Sequence, residues 1–76
     1  MDKAKVVEAL RWAEYQAMVQ RMHGSKEGAE REELFRTLAQ RIEDGVITPI
    51  QVGMLVSGLP HFTEIMTIIW SDEGGE

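Results

Sequence analysis

The residues able to do chemistry in this sequence are few, and their spacing does not assemble a site. There are two histidines, His23 and His61, and no cysteine. His61 and Glu64 have the spacing of half a metal site on one helix face, but a stable site needs three or four convergent ligands. His23 falls at a predicted helix end, where histidine often hydrogen-bonds free carbonyl groups. We therefore expect no bound metal and no cofactor.

Side chains suited to catalysis are equally sparse. Ser57 follows an apolar helical segment and lacks the glycine pattern that raises a nucleophile on a turn between a strand and a helix. The glycines do not form a phosphate-cradling loop. The carboxylates of Glu30, Glu32 and Glu33 open a predicted helix, where negative charge complements the helix dipole in a solvated segment. The sequence therefore predicts a protein that is not an enzyme.

Composition bears on size and compartment. A chain of 76 residues forms a single domain, and its core is marginal because small chains bury proportionately little surface. The lack of cysteine fits a reducing compartment, and the N-terminal segment lacks the apolar stretch of a secretory signal, so we predict a cytoplasmic protein. The apolar stretch 46–70 is interrupted by Pro49, Gly58, Pro60 and Glu64, which favours a buried core over a membrane span.

Charge is distributed unevenly along the chain. The net charge is −5, and no basic residue follows Arg41. A nucleic-acid binder needs Lys and Arg to displace counterions from phosphates, so we expect no direct contact with nucleic acid. An acidic surface suits a basic partner, or simply solubility. The expected contact with a basic partner consists of Asp72, Glu73 and Glu76.

Glycine and proline divide the chain into four predicted helices. Gly24 and Gly45 stand where the residue after a helix C-terminus is expected. The segment 48–51, Thr-Pro-Ile-Gln, has the pattern of a capping box with proline at the first helical position. The predicted helices cover 2–23 with Asp2 as the cap, a segment from between Ser25 and Ala29 to Asp44, a third from Pro49 to near Gly58, and 60–70.

These helices predict an all-α fold, a small four-helix bundle in which one long N-terminal helix packs on three shorter ones. The single helical domain spans 1–71 and precedes a disordered acidic tail at 72–76. The third helix is almost wholly apolar, so we expect it to be core and not a helix that reads DNA. Rows of small residues are predicted to let the first and third helices approach closely: Ala9, Ala13 and Ala17 on one, Gly53 and Ser57 on the other.

The first helix carries two apolar faces, whereas a surface helix of a monomer normally has one. The first of these faces is aliphatic and small, and consists of Val6, Leu10, Ala13 and Ala17. The second contains types enriched at interface centres, and leaving it in water would forgo about 5–10 kcal/mol. We predict that this second face binds a partner, although it could instead be core or a dimer interface. Its residues are Trp12, Tyr15, Val19 and Met22.

Together these features predict a small non-enzymatic regulator or inhibitor that binds another protein and forms a homodimer. Phage-encoded and antitoxin-like blockers of other proteins have this general build, which is an association only. One alternative is a structural adaptor subunit of a larger assembly. The other is an acidic protein that imitates nucleic acid and inhibits a DNA- or RNA-binding protein, which would bind more weakly as salt rises.

Overall fold

The part of the protein that the structure describes consists of four α-helices joined by turns, an all-α fold, as the sequence predicts. The computed structural model describes residues 3–75, with side chains for residues 3–70. No helix in this part is both long enough and apolar enough to cross a bilayer. The predicted cap Asp2 lies outside the described residues. The helices are α1 (Lys3–Met22), α2 (Lys26–Glu43), α3 (Pro49–Val56) and α4 (Phe62–Gly75).

A tight glycine turn joins α1 to α2. Gly24 has φ 95°, and its N–H donates to the carbonyl of Arg21 at 2.9 Å while Ser25 N–H donates to Gln20 at 3.1 Å. This pair of bonds around a left-handed glycine is a Schellman motif. The Ser25 hydroxyl then accepts from Gly28 N–H at 2.9 Å and caps α2. The predicted end of the first helix at Gly24 is confirmed.

The core lies where α1 packs against α2 and α4, its two extensive helix contacts. A bundle of four equally packed helices would need α3 to share these contacts, but α3 lies at the edge and contributes only its two valines. The four-helix bundle is therefore not confirmed. The buried apolar residues are Val6, Ala9, Leu10, Ala13 and Ala17 from α1, Phe35, Leu38, Ala39 and Ile42 from α2, Val52 and Val56 from α3, and Ile65 and Ile69 from α4.

The backbones of α1 and α2 approach closely at Gly28. A Cβ added at Gly28 would come within 2.8 Å of the Arg21 nitrogen and 3.0 Å of the Ala17 carbonyl oxygen. A Cβ added at Gly53 would meet nothing within 4 Å. The predicted close approach of the first and third helices is therefore wrong, because the small residues of α3 face open space.

Charged side chains also link α1 to α2. Arg36 binds Glu14 at 3.1 Å and Glu32 at 3.2 Å, and Arg21 also binds Glu32. Glu32 is buried, whereas the sequence predicts that it is a solvated residue near the helix start. That expectation is wrong for Glu32 because two arginines lie within reach, one on each helix.

A second glycine turn ends α2. Gly45 has φ 76°. Its N–H donates to the carbonyl of Ile42 at 3.1 Å, and the N–H of Val46 donates to the carbonyl of Arg41 at 2.9 Å. This is again a Schellman motif. It releases the chain from α2 and places Val46 before the start of α3.

The predicted capping box at the start of α3 is confirmed. Gln51 N–H donates to the Thr48 hydroxyl at 3.2 Å, and Thr48 N–H donates to the Gln51 side-chain oxygen at 2.8 Å. Replacing Thr48 with alanine is expected to lower the free energy of unfolding by about 1 kcal/mol. Thr48→Ser keeps the hydroxyl and should therefore retain most of the stability that the alanine variant loses. Urea denaturation followed by circular dichroism measures both, and equal loss in the two variants would contradict the capping role.

Helix α4 begins at Phe62 and extends to Gly75, beyond the predicted end at Trp70. The predicted disorder of 72–76 is therefore not confirmed. Side chains after Trp70 lie outside the described part of the chain.

Candidate protein-docking surface

The third helix presents apolar side chains to solvent. It contains no charged residue, and its two inward valines, Val52 and Val56, are spaced four apart and fully buried. Ile50, Met54 and Leu55 point away from them, with 69%, 72% and 57% of their surface exposed. The sequence predicts that this helix is core, and for these three residues that prediction is wrong.

A shallow groove runs between α3 and the start of α4. On the α4 side the lining is formed by Phe62 and Met66, which are half-buried and pack against the core. The structure places both where the core meets the surface. We call this feature the α3–α4 groove; it is lined by Ile50, Gly53, Met54, Ser57, Phe62 and Met66, together with Pro49.

Met54 also borders a second depression on the other side of α3. This one is lined by Ile47, Gln51, Met54 and Leu55. Exposed Val46 lies just before it in the chain. Apolar surface therefore continues across α3 from one depression to the other, and Met54 stands between them.

The groove lies in the acidic half of the chain. All eight basic residues precede position 42, together with seven acidic ones, so residues 1–41 sum to +1. Residues 42–76 contain six acidic residues and no basic one, a sum of −6, which gives the net −5. Among these six, Glu43 is paired with Arg11 at 3.6 Å. Asp44 precedes α3 and Glu64 lies in α4, and both are exposed.

The predicted binding face of α1 is divided by the structure. Trp12 is half-buried against the core and lies edge-to-face on His61, with ring centroids 5.6 Å apart. Val19 is also half-buried. Tyr15 and Met22 are exposed. The structure therefore does not assemble these four residues into one open surface, and their role in binding stays a prediction.

His61, whose ring contacts Trp12, has an unusual backbone conformation. It has φ 71°, a left-handed conformation that is uncommon for residues other than glycine. Its Nε2 atom is buried without a hydrogen-bond partner. His61 thus closes the turn between α3 and α4 over the tryptophan ring, a role the sequence did not indicate.

The other residues considered for chemistry are placed apart. The Ser57 hydroxyl donates to the carbonyl of Met54 at 3.0 Å, along its own helix. His23, Glu30 and Glu33 are exposed. Within the residues that the structure describes, no three histidine or carboxylate side chains converge as metal ligands would.

Two further features of the acidic half are Trp70 and the predicted acidic contact. Trp70, the last residue of the apolar stretch 46–70, is 45% exposed. The predicted acidic contact, formed by Asp72, Glu73 and Glu76, lies outside the residues whose side chains are described.

Comparison with known proteins gives the chain no relative. No protein-family model matches it, and neither does any curated protein or solved structure.

Proposed function

We propose that this chain is a non-enzymatic protein-binding module that docks another protein on the α3–α4 groove. The observation that supports it is the exposure of Ile50, Met54 and Leu55 on an uncharged helix that borders a groove. Contiguous exposed apolar surface of this kind marks interaction sites more often than plain solvent-facing surface. The proposal keeps the class predicted from the sequence, a regulator or inhibitor that binds a protein, and moves its surface from α1 to α3.

The energetics favour a docking role for these residues. Full burial of an apolar side chain of this size contributes about 1.5–3 kcal/mol. Most of this burial free energy is not gained in the isolated chain, because over half of the surface of Ile50, Met54 and Leu55 is exposed to water. A partner that covers the groove recovers it for Ile50 and Met54, which line the groove. Polar residues at the same positions would keep the helix and lose the docking energy.

The structure offers a matched pair of variants to test this. Ile50→Gln with Met54→Gln removes apolar surface from the groove without adding charge. Tyr15→Gln with Met22→Gln does the same for exposed residues of α1. All four side chains are more than half exposed, so both variants are expected to fold, and circular dichroism checks this.

Affinity purification from the source cell, quantified by mass spectrometry, compares wild type with the two variants. We expect a partner retained by wild type and the α1 variant to fall about tenfold with the groove variant, the effect of losing about 1.4 kcal/mol. The reverse pattern would return the binding face to α1, as the sequence predicts. Equal retention by all three would contradict docking on either face.

A further inference from the structure

The outward side of α3 carries a pattern that matches its own copy. Ile50, Gly53, Met54 and Ser57 follow the spacing i, i+3, i+4, i+7, which places them on one face of the helix, and all four line the α3–α4 groove. We call this face the α3 stripe. Resting on the docking function above for its surface, we propose that the free chain covers the α3 stripe with that of a second copy, in a symmetric antiparallel homodimer.

Large and small residues are placed along the α3 stripe so that two antiparallel copies interlock. Ile50 and Met54 are 69% and 72% exposed and project as knobs. A Cβ added at Gly53 would meet nothing within 4 Å, and Ser57 is small and exposed, so these two positions are holes. A twofold axis between positions 53 and 54 sets Met54 of each copy against Gly53 of the other, and Ile50 against Ser57. A large residue then always meets a small one, the reciprocal match that a symmetric interface requires.

A parallel pair lacks this match. With the twofold axis along the helices, each residue faces its own equivalent, so Met54 would meet Met54 and the two Gly53 positions would face each other across an empty space. Voids of this kind lose the contacts that stabilise packed helices. The pattern therefore favours the antiparallel arrangement.

Burial of the α3 stripe leaves no polar side chain without a partner. The Ser57 hydroxyl is the only polar side-chain group of the stripe, and it already donates to the carbonyl of Met54 at 3.0 Å. Covering this hydroxyl with Ile50 of a second copy therefore avoids the cost of an unsatisfied buried donor.

The contact itself is uncharged. No charged residue occurs in α3, and no charged side chain lines the groove within the described part of the chain. Glu43 is paired with Arg11, and Glu64, two positions after Phe62, projects about 200° around α4 from it. Two copies thus meet on this face without placing like charges in contact, which would disfavour association.

The extent of the contact predicts a reversible dimer. A standard interface buries about 800 Å² per copy, which is about a sixth of the 4672 Å² surface of this chain. The eight residues of α3 form a helix only about 12 Å long, so the α3 stripe and the groove beside it cover less than that. Small interfaces form and dissociate with concentration, and another protein that docks on the groove then replaces the second copy.

Sedimentation equilibrium of the purified full chain tests the dimer. We expect the apparent mass to rise from one chain toward two between about 1 μM and 1 mM, the range of weak complexes. Ile50→Gln with Met54→Gln removes both knobs and should raise the dimer dissociation constant at least about tenfold. Tyr15→Gln with Met22→Gln, the matched change on α1, should leave it unchanged.

These results separate the homodimer from the docking function. A monomer at every concentration would overturn the homodimer and leave a different protein as the occupant, which the affinity purification above tests independently. A dimer that only the α1 variant weakens would place the interface on α1 and also overturn the proposal.

Gly53→Gln tests the hole at the centre of the contact. In the monomer the new side chain enters open space, and glutamine is a better helix former than glycine, so dilute protein should gain stability. In the dimer the same side chain occupies the place of Met54 of the second copy, so the dissociation constant should rise at least about tenfold. An unchanged dissociation constant would contradict the pairing of Gly53 with Met54.

Cysteine cross-linking tests the register, because the chain has no cysteine of its own. Ile50→Cys and Ser57→Cys chains are mixed, treated with oxidised glutathione and analysed by mass spectrometry. In the antiparallel dimer these two positions face each other, whereas position 50 lies about 10 Å along the helix from its own equivalent. We expect the mixed disulfide to exceed either self-disulfide at least about fivefold, because disulfides need Cα atoms within about 7 Å. Self-disulfides in equal or greater yield would overturn the antiparallel pairing.

Discussion

Replacing Phe35 with alanine is expected to lower the free energy of unfolding by about 3–5 kcal/mol, the usual cost of emptying a buried phenylalanine site. Phe35 lies in α2, is 0% exposed and is among the largest fully buried side chains of the described chain. Its ring belongs to the buried apolar cluster, to which all four helices contribute side chains, and this core is small. Because small domains are marginally stable, this loss should leave much of the variant unfolded. Urea denaturation followed by circular dichroism measures the change.

The neighbouring residue provides the control. Leu34 precedes Phe35 in the same helix but is 37% exposed. Leu34→Ala removes a comparable apolar group from a site that solvent already reaches, so we expect a loss of about 1 kcal/mol or less. Equal loss of stability in the two variants would contradict the burial of Phe35.

Three helix boundaries could be predicted from the sequence: the end of α1, the end of α2 and the start of α3. The glycines at 24 and 45 and the capping box at 48–51 act through hydrogen bonds between residues close in the chain. Such bonds need only the local sequence, and each is present in the structure. The buried face of α1 was predictable for a similar reason, because Val6, Leu10, Ala13 and Ala17 repeat with the period of a helix.

The docking surface could not be predicted because burial depends on what the rest of the chain can cover. A helix that is apolar on all sides is normally buried, so α3 was predicted to be core. The described chain folds with α1 engaged by α2 and α4, and only Val52 and Val56 of α3 reach the core. Nothing within α3 distinguishes the valines that are covered from Met54, which is not.

Two long-range contacts could not be predicted from the sequence for the same reason. The Trp12 ring contacts that of His61, forty-nine positions away. The left-handed backbone of His61 is uncommon for any residue other than glycine, so the residue type alone does not predict it. Glu32 is buried because Arg21 on α1 binds it across the hairpin. Both contacts depend on how the helices are arranged, which a pattern along one helix does not contain.

Replacing Gly28 with alanine is expected to destabilise the protein by about 1–3 kcal/mol, the usual cost of overpacking. In an isolated helix the same change would stabilise by about 1 kcal/mol, because alanine is the better helix former. At Gly28 the added methyl would lie 2.8 Å from the backbone nitrogen of Arg21 and 2.9 Å from the Gln20 Cβ. Backbone cannot yield as a flexible side chain can, so α1 and α2 must separate and the core between them loosens.

Replacing Gly53 with alanine is expected to change stability in the opposite direction. It also lies inside a helix, but a methyl added there meets nothing within 4 Å, so only the propensity term remains. We expect Gly53→Ala to stabilise by about 0.5–1 kcal/mol. Urea denaturation of the two variants measures both changes. Stabilisation by Gly28→Ala would show that α1 and α2 do not approach closely there. Destabilisation by Gly53→Ala would show that this side of α3 is already packed in the isolated chain, which would also remove the open groove.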